Sequence, residues 1–387
     1  MLKIFVTGDN HFGKKYDRYP DVKDKLIRSR FEVLGDMVRK AESEGCELFV
    51  VTGDLFDNIS TVKVADVKQV AEILAAFTGS VIVLPGNHDY YTGDEKVWND
   101  FDKALSGRDH NITLIKEFKP YVFETKDGEV TVYPAFCQSK HSKENNLGWI
   151  KAAEIRRDGM INIGIAHGAI RGVTPDIKEE YFLMTEDELA GIPVDVWLIG
   201  HTHIPYPDVL KEDEDTAGYK VFNAGTHEQT DLHNNTEGCG FIISIDKQGK
   251  AAKVLARKYV SGKIHFRDLD IRVTPDSETS LADEIKAAIA DIDSNSIVRV
   301  RVSGSIKQRE YAEKERIYRE ILGGFLTYEK EDSELSEEIT VDKIREEFAE
   351  TGFAAQLLEG LVGNPTELQM AYQLIEDCRD KQAEVRR

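Results

Sequence analysis

"GDNHFG" at residues 8–13 follows the apolar run "LKIFV", and "IGHTHIP" at 199–205 follows "VDVWL". Both stretches put carboxylate, amide or imidazole side chains where a buried strand should end. Three further strand ends do the same: Asp54 in "TGDLFD", Asn87, His88 and Asp89 in "PGNHDYY", and His167 in "IAHGAI". In an open α/β sheet, ligands bind outside the carboxyl ends of the strands, so side chains far apart in sequence converge there. Glycines beside each cluster permit sharp turns and close backbone approach.

The apolar runs that lead into these clusters lie at 3–7, 48–52, 81–85, 161–166 and 196–200. Each is short and rich in β-branched residues, the pattern of a strand buried on both faces. Between the first two, Ile27, Phe31, Leu34 and Val38 recur at helical spacing and Gly45 stops the segment. "VADVKQVAEILAAF" reads the same way before the third. Alternating strand and helix predicts a layered α/β fold. "YKVFNAGT", "CGFIISID" and "AKVLARKYV" follow without clear helices between them and predict a second, more antiparallel sheet.

Near residue 265 the texture changes to strand, helix, strand, with Leu281, Ile285, Ile289 and Ile292 on the helix. "VRVRVSG" alternates and predicts a half-exposed strand with Arg299 and Arg301 on one face; these arginines either line a DNA groove or form a plain exposed face. From about 308 the pattern is helical and acidic. "TVDKIREEFAETGFAAQLLEGLVGN" carries Ile344, Phe348, Leu357, Leu358 and Leu361 with a break at Gly352, and "PTELQMAYQLIEDCRD" places Leu368, Tyr372 and Ile375 at helical spacing after a Pro365 start. Such amphipathic helices pack on each other or lay their apolar faces on a partner.

A length of 387 residues suggests two or three domains. The net charge of −20 is the reverse of what a protein coating nucleic acid nonspecifically carries. No apolar run approaches the ~18 residues of a membrane span, and the start has no basic n-region with a cleavage site. The four cysteines, Cys46, Cys137, Cys239 and Cys378, form no CxxC pair and read as reduced thiols. A cytoplasmic location with no membrane partner is the default expectation.

Imidazole with carboxylate and amide oxygen suits manganese, iron or zinc, and the absence of cysteine sets aside a structural zinc site. Two ions about 3.5–4 Å apart clamp the attacking and leaving oxygens of a phosphoryl displacement and activate water near neutral pH, with no need for a serine or cysteine nucleophile.

"GDNHFG … GDLFD … GNHD … AHG … GHTH" resembles the calcineurin-like metallophosphoesterases. "GDLFD" and "NAGTHEQTD … GCGFIISID" are closer to the DNA-repair exonuclease branch, the SbcD, YhaO and Mre-type nucleases. The arginine-glycine pair that follows the second motif in protein phosphatases of the superfamily is absent. The resemblance implies a four-layer α/β/β/α sandwich over residues 1–262, a small α+β capping domain over 263–307 with part of 308–335, and a helical tail over 336–387. It implies that Asp9, His11, Asp54 and His203 hold one divalent ion. Asp54 would bridge to a second, held also by Asn87, His167 and His201. Manganese is expected first, with iron, magnesium or zinc as alternatives.

On this reading His88 is no ligand but protonates the leaving oxygen or stabilises the transition state, and Asp89 orients it. His227 either faces the substrate or is buried. Lys14, Lys15 and Arg18 either meet substrate phosphates or form a solvated loop. His110, His141, His233 and His265 have no ligand partner at a useful spacing. The implied function is a two-metal DNA exo- or endonuclease working with an SMC-like coiled-coil ATPase, with homodimerisation left open. The alternative is a small-molecule phosphodiesterase or phosphatase using the same centre.

Overall fold

A computed structural model describes residues 1–107, 109–156, 159–173, 176, 178–207, 218–234, 236–274 and 279–385. The chain divides into two units. The first comprises Met1–Arg267 with Asn295–Ile297, the second Asp268–Ser294 with Val298–Arg387.

The first unit runs β1 (Leu2–Thr7), α1 (Lys23–Ser43), β2 (Leu48–Val51), α2 (Val64–Ala75), β3 (Ser80–Val83), α3 (Lys96–Leu105), β4 (Ile112–Leu114), β5 (Tyr121–Thr125), β6 (Gly128–Ala135), α4 (Gly148–Ala152), β7 (Ile161–His167), α5 (Glu186–Ala190), β8 (Val196–Gly200), β9 (Val221–Asn223), β10 (Cys239–Gln248) and β11 (Ala251–Val260). One sheet has the order β11-β10-β1-β2-β3-β4 and the other β5-β6-β7-β8-β9. Strands β1 to β4 are mutually parallel, as are β6 to β9.

Alternation along each strand sorts side chains into layers. Ile4 and Val6 of β1 join Val50, Ile82, Ile163, Ile165, Leu198 and Phe222 in the apolar layer between the sheets. Phe5, Phe49 and Val83 face the other way, onto Phe31, Leu34 and Val38 of α1 and Trp98 of α3. Tyr133, Trp197 and Ile199 leave the second sheet on its outer face to meet Ile150 of α4 and Leu189 of α5. The four-layer α/β/β/α arrangement follows from these three apolar layers.

One expectation is overturned. "CGFIISID" and "AKVLARKYV" do not build a separate antiparallel sheet. β10 pairs antiparallel with β1 and β11 antiparallel with β10, which completes the first sheet. "YKVFNAGT" supplies β9, parallel to β8 in the second. The physical reason lies in β10: Cys239 to Ile243 are all buried, the pattern of a strand flanked and covered on both faces.

The second unit contains most of β12 (His265–Val273) and β13 (Ser296–Ile306), with α6 (Leu281–Ala288), α7 (Gln308–Leu322), β14 (Thr327–Glu337), α8 (Val341–Glu347), α9 (Phe353–Gly360) and α10 (Pro365–Val385). Its sheet has the order β12-β13-β14. Leu281 and Ile285 of α6 pack with Val298, Val300 and Val302 of β13 and with Tyr318 and Leu322 of α7. Ser280 and Asp283 form a reciprocal capping box at the start of α6.

The stretch after 308 is not all helical, because β14 interrupts it. Arg299 and Arg301 are also not a free basic face. The Arg299 guanidinium binds Asp268, and Arg301 binds both Asp268 and Asp270. In the tail, Ile339, Ile344, Leu358 and Leu368 form a separate apolar cluster with Phe348, Leu361, Tyr372 and Ile375 around it. The boundary expected near 336 falls between two clusters within one unit.

Candidate metal centre

The polar strand ends converge. Asp9 and His11 follow β1, Asp54 follows β2, Asn87 and His88 follow β3, His167 ends β7, and His201 and His203 follow β8. The first two motifs are zipped together by backbone bonds: Asp9 N–H to Gly53 O at 3.0 Å, His11 N–H to Asp54 O at 2.9 Å and Phe12 N–H to Leu55 O at 2.9 Å. The backbone N–H of His201 donates to both carboxylate oxygens of Asp9, at 3.1 and 2.9 Å, and so joins the second sheet to the first.

Donor atoms crowd into three overlapping groups. One ligand atom each from Asp9, His11 and His203 lies within 4.8 Å of the others, and the same holds for Asp9, Asp54 and His167 and for His11, Asp57 and His88. His11 Nε2 stands 2.8 Å from His203 Nε2. Asn87 Oδ1 is 3.0 Å from His167 Nε2 and 3.1 Å from His201 Nδ1. Asp54 Oδ2 stands 3.4 Å from His167 Nε2 and 3.8 Å from His11 Nε2, facing an imidazole of its own group and one of another. All seven expected ligands are therefore brought together.

The backbone there is unusual. Asp9, His11, Asp54, His201 and His203 have φ of 48°, 46°, 49°, 119° and 57°. Non-glycine residues adopt such angles at a cost, and they persist only where the surroundings over-determine them. Close packing depends on two missing side chains. A Cβ on Gly86 would stand 2.2 Å from Asp54 Oδ1, and one on Gly53 2.1 Å from His167 Nδ1.

Burial would raise the Asp54 carboxyl, but His167, His11 and His88 outweigh it and hold it well below the usual range. Burial lifts Asp9 to about 7, with Asp54 adding to the shift. Burial opposes a charge on His167, yet Asp54 and Asp9 carry that imidazole up to about 9. Burial, with His167 beside it, lowers His201 to about 3, and burial with His11 lowers His203 well below normal. The donor set fits divalent ions. It is oxygen- and imidazole-rich, it includes an ionised carboxylate between two imidazole groups, and the Asn87 Nδ2 atom is buried without a hydrogen-bond partner.

His88 is half-buried beside this cluster, its ring edge-on to His11 at 4.8 Å. Its backbone N–H donates to Asp54 Oδ1 at 2.8 Å, and its Nδ1 lies 3.1 Å from the Asp57 carbonyl oxygen. The expected role of Asp89 is not supported by its contacts. Its carboxylate accepts from the N–H groups of Gly86 and Phe56, at 2.7 and 2.9 Å, so it braces the two loops instead of the imidazole. Burial and Asp54 raise that carboxyl to about 8.

Asp57 is the residue that the sequence reading passed over, although it closes "GDLFD". Its Oδ1 lies 3.3 Å from His11 Nδ1, and with its carbonyl near His88 it faces a ligand and the candidate acid together. Tyr181, which carried no sequence signal, packs its ring 4.9 Å from that of His201, and His141 lies against Tyr181 at 5.1 Å. His227 is fully buried, with Nε2 3.0 Å from the Arg30 carbonyl oxygen, and does not face substrate. Lys14 is half-buried and Lys15 and Arg18 are exposed. His110 and His233 are exposed, and His265 is half-buried.

Residues 2–205 match the calcineurin-like phosphoesterase family, and the chain belongs to it; its aspartate and histidine groups could hold divalent metal ions. It is similar to an uncharacterised metallophosphoesterase, YhaO, of Bacillus subtilis (strain 168), 27% identical over 185 residues, which are 46% of this chain and 42% of that protein. A probable cyclic nucleotide phosphodiesterase of Fibrobacter succinogenes is 25% identical over 167 residues, 43% of this chain and 57% of its own length. The chain spans about half the length of these curated relatives. A dimetal phosphatase from Danio rerio aligns with a TM-score of 0.39 at 13% identity, over 67% of this chain and 99% of that one. Among the described residues no helix is long and apolar enough to cross a membrane.

Proposed function

We propose that the chain is a DNA nuclease, the cutting subunit of a double-strand-break repair complex with a coiled-coil ATPase of SMC type, acting in the cytoplasm with its thiols reduced. The observation that carries phosphodiester cleavage is His88. It sits against the ligand cluster, and its Nδ1 is engaged by the Asp57 carbonyl while Asp54 holds its backbone.

Asp9, His11, Asp54 and His203 would hold one ion, and Asp54, Asn87, His167 and His201 the other, with manganese the first choice. When bound, two such ions supply Lewis-acid charge at the phosphate and a water activated at neutral pH. The protein's own part is positional and acid–base. The Asp57 carbonyl takes the Nδ1–H of His88, so the proton it transfers as an imidazolium would be the one on Nε2. The water gives up a proton to solvent as its oxygen joins phosphorus, the bond from phosphorus to the leaving alcohol oxygen breaks, and that oxygen takes the His88 proton.

The DNA substrate is supported by the "GDLFD" and "NAGTHEQTD" resemblance and by the presence of a second unit, which a minimal phosphoesterase does not need. A partner is supported by the tail. Phe353 and Leu357 on α9, and Met370 and Leu374 on α10, are exposed large apolar side chains spaced four residues apart. The second reading, a small-molecule phosphodiesterase, is favoured by the net charge of −20 and by likeness to a protein named as a probable cyclic nucleotide phosphodiesterase. An activity panel with Mn²⁺ on single- and double-stranded DNA, a cyclic nucleotide and a chromogenic phosphodiester decides between them. Cleavage of DNA is the expected result; turnover of the cyclic nucleotide with DNA left whole overturns the nuclease reading.

A further inference from the structure

Two side chains outside the ligand set hold the first ligand turn. Arg30 projects from α1 and is 2% exposed; Thr226 follows β9 and is 1% exposed. The Arg30 guanidinium donates through Nε at 3.0 Å, and again through Nη2, to the carbonyl oxygen of Asn10. Its Nη1 reaches Tyr16 Oη at 3.0 Å, Glu228 O at 3.1 Å and Gln229 O at 3.4 Å. The Thr226 hydroxyl lies 2.9 Å from both Asp9 O and Glu228 O. A hydroxyl has one proton to donate. Arg30 already serves Glu228 O, so the Thr226 proton is available to Asp9 O.

Asn10 is the residue between Asp9 and His11, and those two have φ of 48° and 46°. Consecutive carbonyls in the turn, those of Asp9 and Asn10, are thus held by two buried donors, one from a helix and one from the segment after β9. Arg30 suits this task because its planar fork reaches several oxygens without losing its charge. Without these donors, two buried carbonyls would be unsatisfied and the left-handed pair would lose part of what over-determines it.

We infer that Arg30 and Thr226 are positioning residues of the metal centre: they fix the Asp9–Asn10–His11 turn so that the Asp9 carboxylate and the His11 imidazole present their donor atoms together. The inference rests on the dinuclear metal reading of the site. It gives the "THEQ" segment, which supplies no ligand, a role in metal affinity.

The test is metal titration by calorimetry on wild type, Arg30→Met, Arg30→Lys, Thr226→Val and Thr226→Ser, beside melting curves in chelator. Outer-shell partners of metal ligands are typically worth 10–100-fold in affinity. Thr226→Val is expected to lose about tenfold in Mn²⁺ affinity and Arg30→Met somewhat more. Thr226→Ser, which keeps the hydroxyl but removes a methyl group, should stay near wild type, and Arg30→Lys should fall between Arg30→Met and wild type. In variants saturated with metal, kcat for a small phosphodiester should fall while KM changes by less than about twofold. Wild-type affinity in both Thr226→Val and Arg30→Met overturns the inference. So does a Thr226→Ser variant as weak as Thr226→Val, because packing would then explain the loss, and so does failure of every variant to fold. A wild-type protein that binds no divalent ion would instead overturn the underlying metal reading.

Discussion

His11 and His203 meet Nε2 to Nε2 at 2.8 Å, with Asp54 Oδ2 3.8 Å from the same His11 atom. Neither imidazole is positioned to carry a proton there: burial lowers both, and each lowers the other or has a further histidine beside it. Asp9 and His167 differ, being lifted to about 7 and about 9. Metal must displace protons from those two and none from His11, His201 or His203. Affinity is therefore expected to rise with pH up to about 7 as Asp9 sheds its proton on its own, and more shallowly from there to about 9. Calorimetry in buffers of different ionisation enthalpy counts the protons. Uptake of protons on binding at pH 6 would contradict this assignment.

The bridging role proposed for Asp54 would separate it from the terminal ligands. Its Oδ2 faces His167 and His11, which belong to different groups. Asp54→Asn should weaken both ions together, whereas His203→Ala should empty mainly one. Anomalous scattering at the metal edge reads the two occupancies separately. Loss of a single ion in Asp54→Asn would end the bridging assignment.

His88 should behave as an acid and not a ligand. His88→Ala is expected to retain wild-type metal content and lose about 10²–10⁴-fold in kcat on DNA. Bound metal and turnover measured on one preparation separate the roles, and disappearance of a whole ion would make His88 a ligand. Asp89→Asn is predicted to act differently. Because its carboxylate holds the Gly86 and Phe56 amides, the variant should lower the melting temperature as well as activity.

Much of this site was legible because its chemistry follows apolar runs: Asp9, Asp54, Asn87 and His201 stand just past strands whose burial the pattern encodes. What escaped has physical causes. "TYEKEDSELSE" is mostly polar, and β14 buries only Leu335 fully, so no period of two betrays it. β4, β5 and β6 were passed over, β4 having only three residues. The pairing of β10 with β1 is long-range and leaves no local trace. Asp57 closes "GDLFD" with no local sign of a role, since its use depends on where His11 and His88 arrive in space. Arg30 reads in "RSRFEVL" as one more charge on a helix, and only the fold reveals that it is buried.

Gly86→Ala tests the packing of the centre. The added methyl would fall 2.2 Å from Asp54 Oδ1, 2.4 Å from Asp54 N and 2.8 Å from His167 Cε1. Backbone and bridging carboxylate cannot both stay. The expectation is a folded protein with greatly reduced metal content and activity, visible as a loss of the metal-dependent rise in melting temperature. Full metal occupancy in this variant would mean that the site is looser than its distances imply.

The tail carries the last prediction. Leu357 is 40% exposed, while its neighbour Leu358 is buried in the cluster with Ile344 and Leu368. The tail therefore has an apolar core of its own and a second apolar set left over: Phe353 at 80% exposure and Met370 and Leu374 at 64% each. Exposed side chains of this kind contribute little to the stability of the isolated chain, because they are not removed from water in it. Phe353→Glu combined with Met370→Glu should leave melting temperature, metal content and cleavage of a small phosphodiester unchanged, and abolish association with a coiled-coil ATPase. Deleting 340–387 should do the same at the level of metal binding and small-substrate turnover, since none of the ligands lies there. Co-purification and turnover on the same preparations decide it. Wild-type association of the double variant would remove the tail's apolar face as the docking surface, and loss of metal on truncation would show that the tail supports the catalytic unit.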